Sequence, residues 1–130
     1  MTHSNFQVVG AAISGWLFGA LWYGVFAKPW MKAANLSVDK ISREASPTPY
    51  LISLIGCIAT SAMLRYLFER AKVTTHYDSF ETAFGIGLFV AVPWTVNNIL
   101  YGLRNPRLIV YDGGYVALGT AIIGLALSFF

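Results

Sequence analysis

Cysteine is almost absent from this sequence of 130 residues, in which Cys57 is the only one. A single cysteine excludes an intrachain disulfide, a CxxC redox pair and a cysteine-rich zinc site. Because Cys57 lies inside an apolar run, we interpret it as a small apolar side chain in a packed helix.

Charged residues are also scarce, at 12% of the chain, whereas hydrophobic residues reach 56%. Ordinary globular proteins have roughly 25% charged and 45 to 50% apolar residues. Too few charges are present to cover a water-facing surface, so lipid is the expected solvent for much of the chain. The length fits a single domain, since domains typically have about 100 to 150 residues.

Motifs that carry chemistry are missing as well. The sequence contains no HExxH, no GxSxG and no glycine-rich phosphate loop. The two histidines, His3 and His76, lie outside the long apolar runs, which argues against axial ligation of a buried tetrapyrrole. The nine Lys and Arg residues form no dense block of the kind that binds nucleic acid. We therefore predict no catalysis, no cofactor, no metal and no nucleic-acid partner.

Four long apolar runs dominate the remaining sequence. A helix needs about 20 mostly apolar residues to cross a hydrocarbon core roughly 30 Å thick. Four runs meet this requirement, at 6–27, 50–68, 82–103 and 108–130. The predicted fold is an all-α integral membrane protein, one domain of four transmembrane helices in two antiparallel hairpins. The first run is too long for a signal-peptide core, so we expect it to be retained.

The connections between the runs differ in length and polarity. The turn 103–108 is very short, so the third and fourth spans are expected to form a tight hairpin. The mixed-charge segment 69–81 is expected to lie in water. Residues 29–45 predict an interfacial segment, in which Pro29 opens a short helix and Ser37 caps a second one over 38–43.

Basic and aromatic residues gather near the ends of the predicted spans. Six Lys or Arg residues flank the first and third connections, against three at the other side, which favours cytoplasmic loops at the six-residue side and both termini outside. The predicted interfacial anchors are Trp22, Tyr23, Lys28, Trp30, Arg65, Arg104 and Arg107.

Small residues recur inside the spans at helical spacing, which favours close packing of helix backbones. Glycine is also simply common in membrane helices, and this alternative stays open. Pro93 predicts a kink in the third span because proline removes a backbone donor. The predicted packing positions are Ala11, Gly15, Gly19, Gly56, Gly113 and Gly114.

A polar cluster is predicted where the last hairpin closes. Asn97 and Asn98 precede the end of the third span, and Asp112 follows the start of the fourth, so the three side chains share a depth. With Tyr115 nearby, they form a candidate site for a headgroup, an ion or a proton. The alternative is a structural tie between the two spans.

The residues from Gly19 to Ala33 place a tryptophan-tyrosine pair at the end of the first span, followed by lysine, tryptophan and methionine. Thr95 with Asn98, the turn 104–108, residues 112–115 and the small-residue run to Gly124 add to this pattern. Together they resemble the domain of unknown function 1761 family. The resemblance implies a small four-span membrane protein, mostly bacterial, with no established activity; Gly24 departs from the serine expected there.

These features predict a component of a bacterial inner membrane that works without catalysis of its own. Its expected partners are membrane lipids and other membrane subunits, or further copies of the chain. The competing prediction is a small transporter or channel subunit, with Asp112, Asn97 and Asn98 as its polar site and Pro93 as a hinge.

Overall fold

The structure is a computed structural model that describes the backbone of residues 2–130 and the side chains from Asn5 onward. Met1 lies outside the described residues. The side chain of His3, which is predicted to lie outside the spans, is not described either. Helices make up most of the described chain, and no strand occurs in it. They are α1 (Thr2–Val25), α2 (Ala27–Ala34), α3 (Val38–Arg43), α4 (Thr48–Ala71), α5 (His76–Ile86), α6 (Val92–Tyr101) and α7 (Gly114–Leu127).

Two π-helical turns extend these helices. One, Gly87–Ala91, joins α5 to α6, and the other, Ile109–Gly113, precedes α7. Four continuous helices are therefore long and apolar enough to cross a membrane, which confirms the predicted four-span, all-α fold. They run over Asn5–Val25, Thr48–Ala71, His76–Tyr101 and Ile109–Leu127.

Helix occupies most of the segment 69–81, which the sequence predicts to lie in water. Lys72 adopts a left-handed conformation with φ of 57° and ends α4, while Val73 donates its N–H to the Phe68 carbonyl. The Thr75 side chain then accepts from the Asp78 backbone N–H at 3.0 Å and starts α5. Only residues 72–75 remain as a turn, and His76, predicted outside the spans, begins the third one.

The last span holds the bundle together, because α7 packs against α1, α4 and α5 while α1 also packs against α4. The first two spans and the last two therefore run as antiparallel neighbours. Ser61 of α4 is fully buried and donates to the Val8 carbonyl of α1 at 2.8 Å. We call the end that contains α2, α3 and the turn 102–108 the hairpin end.

Small residues produce the close approach of α7 to its neighbours. A Cβ on Gly15 or Gly19 of α1 would collide with Ile123 or Tyr115 of α7. Gly114 lies against the Trp22 ring, Gly113 is buried, and Ala11 is fully buried. Ala11, Gly15, Gly19 and Gly114 are thus close-packed as predicted, whereas a Cβ on Gly113 would make only an ordinary contact with Val92, at 3.7 Å.

Gly56 is the exception among the predicted packing positions. It is exposed, and a Cβ placed there would meet nothing within 4 Å. Within one copy of the chain no helix contacts Gly56, because it lies on the side of α4 that faces away from α1 and α7, and its packing role stays a prediction.

A π turn, Gly87–Ala91, precedes Pro93, at which the sequence predicts a kink. Proline has no N–H to donate and its ring crowds the preceding helical turn. In the π turn, Val92 donates its N–H back to the Gly87 carbonyl, five residues earlier. The wider turn keeps the third span continuous through this region.

The helix α2 turns its apolar side toward the protein. Ala33 is buried with Ile99 and Leu108, and Trp30 packs on the edge of this cluster. Lys28 and Lys32 remain exposed on the other side of α2. The second predicted short helix, over 38–43, is confirmed, with the Ser37 hydroxyl accepting from the Lys40 N–H at 3.1 Å.

Candidate functional site

Asp112 lies in the π turn that begins the last span, at the hairpin end. Its Oδ1 accepts a hydrogen bond from the Tyr23 hydroxyl at 2.6 Å and a second from Trp30 Nε1 at 3.2 Å. Tyr23 belongs to α1 and Trp30 to α2. One carboxylate oxygen therefore connects three helices, and we call these three residues the Asp112 cluster.

The local fold at the end of α1 brings the two donors together. Only Phe26 separates α1 from α2, and helical hydrogen bonds continue on both sides of the break. Phe26 donates its N–H to the Trp22 carbonyl at 3.0 Å, and Trp30 donates to the Phe26 carbonyl at 2.9 Å. The Tyr23 and Trp30 rings consequently meet edge to face, with centroids 5.6 Å apart.

Further aromatic rings surround the Asp112 cluster. Trp22 donates from Nε1 to the Tyr111 carbonyl at 2.9 Å, beside Asp112. The Phe26 ring lies between Trp22 and Tyr111, at centroid distances of 4.7 and 5.7 Å. These contacts shield one side of the carboxylate and add to the attachment of α1 to the last span.

Tyr115, predicted as a member of the polar cluster, lies next to it without bonding to Asp112. Its ring meets the Tyr23 ring edge to face at 5.5 Å. Its hydroxyl donates to the Gly15 carbonyl at 3.1 Å and lies 3.9 Å from the Cys57 sulfur. Tyr115 thus links α7 to α1 deeper in the bundle, where Gly19 leaves room for its ring.

The predicted pairing of Asn97 and Asn98 with Asp112 is wrong. Both asparagines are exposed, and within residues 5–130 neither side chain forms a hydrogen bond with Asp112. The reason is the rotation of α6, which buries Ile99 toward Leu108 and turns the two amides outward.

The predicted basic anchors also lie apart from the carboxylate. Arg104 and Arg107 are exposed at the turn, and over the described side chains neither forms an ion pair with Asp112. Lys28 is exposed on α2. Arg65, near the far end of α4, pairs with Glu69 at 3.2 Å instead.

The chemistry available at the Asp112 cluster is that of a charge-assisted hydrogen-bonded tie. An ionised carboxylate binds hydroxyl and indole donors more strongly than a neutral acceptor does. Two open cavities, of about 630 and 620 Å³, lie elsewhere: one at the far end beside Arg65, the other between α3 and the start of α4. Among the described residues, no group of three or more His, Cys, Asp or Glu is placed to hold a metal.

The family described as protein of unknown function (DUF1761) has a model that matches residues 6–128. The chain belongs to this family. No curated protein and no solved structure matches it. Membership agrees with the four-span fold and leaves the activity to be inferred from the structure.

In this DUF1761 chain, the hydrogen-bond partners of Asp112 differ from those predicted from the sequence. Tyr23 and Trp30 were predicted as anchors at the membrane surface, whereas their polar tips point at the carboxylate. The usable signal was the presence of two aromatic donors at the depth of an isolated acid, because such donors usually find an acceptor when they are buried.

Proposed function

We propose that this chain is a non-catalytic component of a membrane assembly, in which its outer helix faces bind other membrane helices. The assembly is either a homo-oligomer or a larger complex with this chain as an accessory subunit. The outer face of α4 carries the proposal.

The α4 outer face consists of Ile52, Gly56, Ala59 and Met63, all exposed and all on one side of the helix. The two small residues leave a shallow notch between the larger side chains of Ile52 and Met63. Small residues at membrane interfaces let a second helix backbone approach closely, whereas lipid chains gain nothing comparable from them. The α4 outer face therefore has the form of a helix-packing surface without a helix on it.

Asn97 and Asn98 add support from a different helix. Both are exposed on α6 within about one turn of its end, at the boundary of the hydrocarbon. An amide at this depth is stabilised when it hydrogen-bonds to a neighbouring helix or to headgroups. The outward direction of both amides fits a component that has neighbours.

The competing function, a transporter or channel subunit, relied on a polar site made by Asp112 with the two asparagines. The asparagines lie outside this site, and Asp112 holds Tyr23 and Trp30. The geometry around Asp112 supports a structural tie more than an ion path. We therefore place the function on the outer faces of the bundle.

Replacing Gly56 by leucine is expected to dissociate the assembly and leave the helices folded. The side chain has open space around it within one copy but would fill the notch on the α4 outer face. The measurement is the mass of the protein-detergent complex after purification in mild detergent, together with any co-purifying subunit. A co-purifying partner indicates an accessory subunit, and a multiple of 14.3 kDa indicates a homo-oligomer.

The matched control is Gly85→Leu, because Gly85 lies in another span and its Cβ would also meet nothing within 4 Å. This variant should keep the mass of the wild-type assembly. The proposal fails if the wild-type protein is a lone monomer in mild detergent and in lipid nanodiscs. It also fails if Gly56→Leu leaves the assembly intact.

We further propose that the protein resides in a bacterial inner membrane with the hairpin end in the cytoplasm. In a Cys57→Ala background, a cysteine at Asn105 marks the hairpin end and one at Thr74 marks the opposite end, and both positions are exposed. An impermeant maleimide added to intact cells should label the Thr74→Cys protein, whereas Asn105→Cys should require lysis. The reversed labelling pattern would refute this orientation.

A further inference from the structure

The hairpin end carries a fixed group of exposed cations outside the Asp112 cluster. Lys28 and Lys32 follow one another on the outward side of α2, and Arg104 and Arg107 lie in the turn 102–108. We propose that these four residues form a binding surface for anionic phospholipid headgroups. We call them the cationic surface.

The packing of α2 fixes the position of the two lysines. Ala33 is buried against Ile99 and Leu108, which attaches α2 to the last hairpin beside its turn. The indole of Trp30 is bonded to Asp112 on the same side of α2. Since the apolar side of α2 is occupied by protein, Lys28 and Lys32 are held on the side turned away from the core. A preorganised surface loses less conformational freedom on binding than mobile lysines do.

The charge on this surface is uncompensated within the chain. Over the described side chains, none of the four cations forms an ion pair with a carboxylate. Asp112, on the last span at the same end, already accepts from Tyr23 and Trp30. The other acids at the hairpin end, Asp39 and Glu44, lie on or beside α3. A surface of four unpaired cations fits phosphate and carboxylate groups of anionic lipids.

The position of the cationic surface along the spans favours membrane lipids as the source of these anions. The cationic surface lies just beyond the ends of the spans at Val25 and Tyr101, where lipid headgroups surround the bundle. Tryptophans Trp22 and Trp30 lie at the same level, as expected for a membrane-water boundary. Anionic headgroups in this leaflet therefore reach the surface without leaving the membrane.

The test is quenching of tryptophan fluorescence by brominated lipids in vesicles that contain the full chain. Trp16, Trp22 and Trp94 lie in the halves of their spans nearer the hairpin end and Trp30 lies on α2, so the quenching reports mainly lipids of that leaflet. Brominated phosphatidylglycerol is expected to compete for the protein several-fold better than brominated phosphatidylcholine. The double variant Lys28→Gln, Lys32→Gln should lose most of this preference, so that the two brominated lipids quench it almost equally.

A variant with the same change in net charge at the opposite end, Arg70→Gln with Lys72→Gln, should keep the preference. If the lysine variant does not fold, as judged by its helical circular dichroism, Arg104→Gln with Arg107→Gln provides the same test from the turn. Equal quenching of the wild-type protein by both lipids would overturn the proposal. An unchanged preference in a folded variant of the cationic surface would do the same.

Discussion

Replacing Gly124 by alanine is expected to cause the largest loss of stability of any single methyl group added to this bundle. A Cβ at Gly124 would overlap the Cβ of Ala83 and lie 2.9 Å from the Ser79 carbonyl oxygen. Ala83 is fully buried and the carbonyl belongs to the backbone of α5, so neither atom can rotate away. Relief requires that α5 and α7 separate along a contact that holds the last hairpin together.

Overpacking of this kind typically costs about 1 to 3 kcal/mol, and the two rigid neighbours place Gly124→Ala near 3 kcal/mol. The measurement is the free energy of unfolding in mixed micelles with increasing SDS. Gly15→Ala should cost less, because the obstructing atoms are Cγ1 and Cδ1 of the Ile123 side chain and no backbone atom lies within 3 Å of the added Cβ. Gly85→Ala is the matched control, because a Cβ on Gly85 would meet nothing within 4 Å, and a loss there equal to that at Gly124 would contradict the argument.

These glycines show what sequence could and could not predict about the fold. The number of spans and their antiparallel order followed from the apolar runs, because hydrocarbon thickness fixes the length of a span. The direction in which each small residue faces did not follow. Gly15 and Gly56 have similar sequence surroundings, yet only Gly15 meets another helix. The direction in which a small residue faces depends on which helices are its neighbours. The central position of α7 results from the packing of all four spans and cannot be read from one span alone.

The candidate site shows the same division. Depth along a helix can be counted from sequence, and it correctly placed Asp112 among the residues of the hairpin end. Rotation about the helix axis cannot be counted through a π turn, because each such turn shifts the helical phase of the residues that follow it. Asn97 and Asn98 come after the turn Gly87–Ala91 and face outward, and Asp112 lies within the turn Ile109–Gly113.

Replacing Asp112 by alanine is expected to loosen α2 from the spans and to lower the free energy of unfolding by about 2 kcal/mol. The substitution leaves the Tyr23 hydroxyl and the Trp30 indole without their common acceptor. Hydrogen bonds to charged groups contribute about 1.5 to 3 kcal/mol each in soluble proteins, whereas interhelical bonds in membranes average about 0.6 kcal/mol. Asp112 is partly buried and lies near the end of its span, between water and hydrocarbon. Each of its two hydrogen bonds is therefore expected to contribute an energy between the soluble-protein value and the membrane value.

A series of substitutions separates the contribution of the Asp112 charge from that of its hydrogen bonds. Asp112→Asn keeps a carbonyl acceptor without the charge and should cost about half as much as alanine. Tyr23→Phe removes one donor and should cost about 1 kcal/mol. The double variant Tyr23→Phe, Asp112→Ala should lose less unfolding free energy than the two single variants lose together, because both substitutions remove the same hydrogen bond.

The matched control is Asp39→Ala, which removes an exposed carboxylate from α3 and should change the stability by less than about 0.5 kcal/mol. A second readout is the rate at which a cysteine at Ala33, which is buried against Ile99 and Leu108, reacts with a bulky maleimide in a Cys57→Ala background. Loosening of α2 should increase this rate in the Asp112→Ala protein and leave it unchanged in the Asp39→Ala protein. Additive losses for Tyr23 and Asp112, with no change in reactivity, would show that the carboxylate does not hold α2 in place.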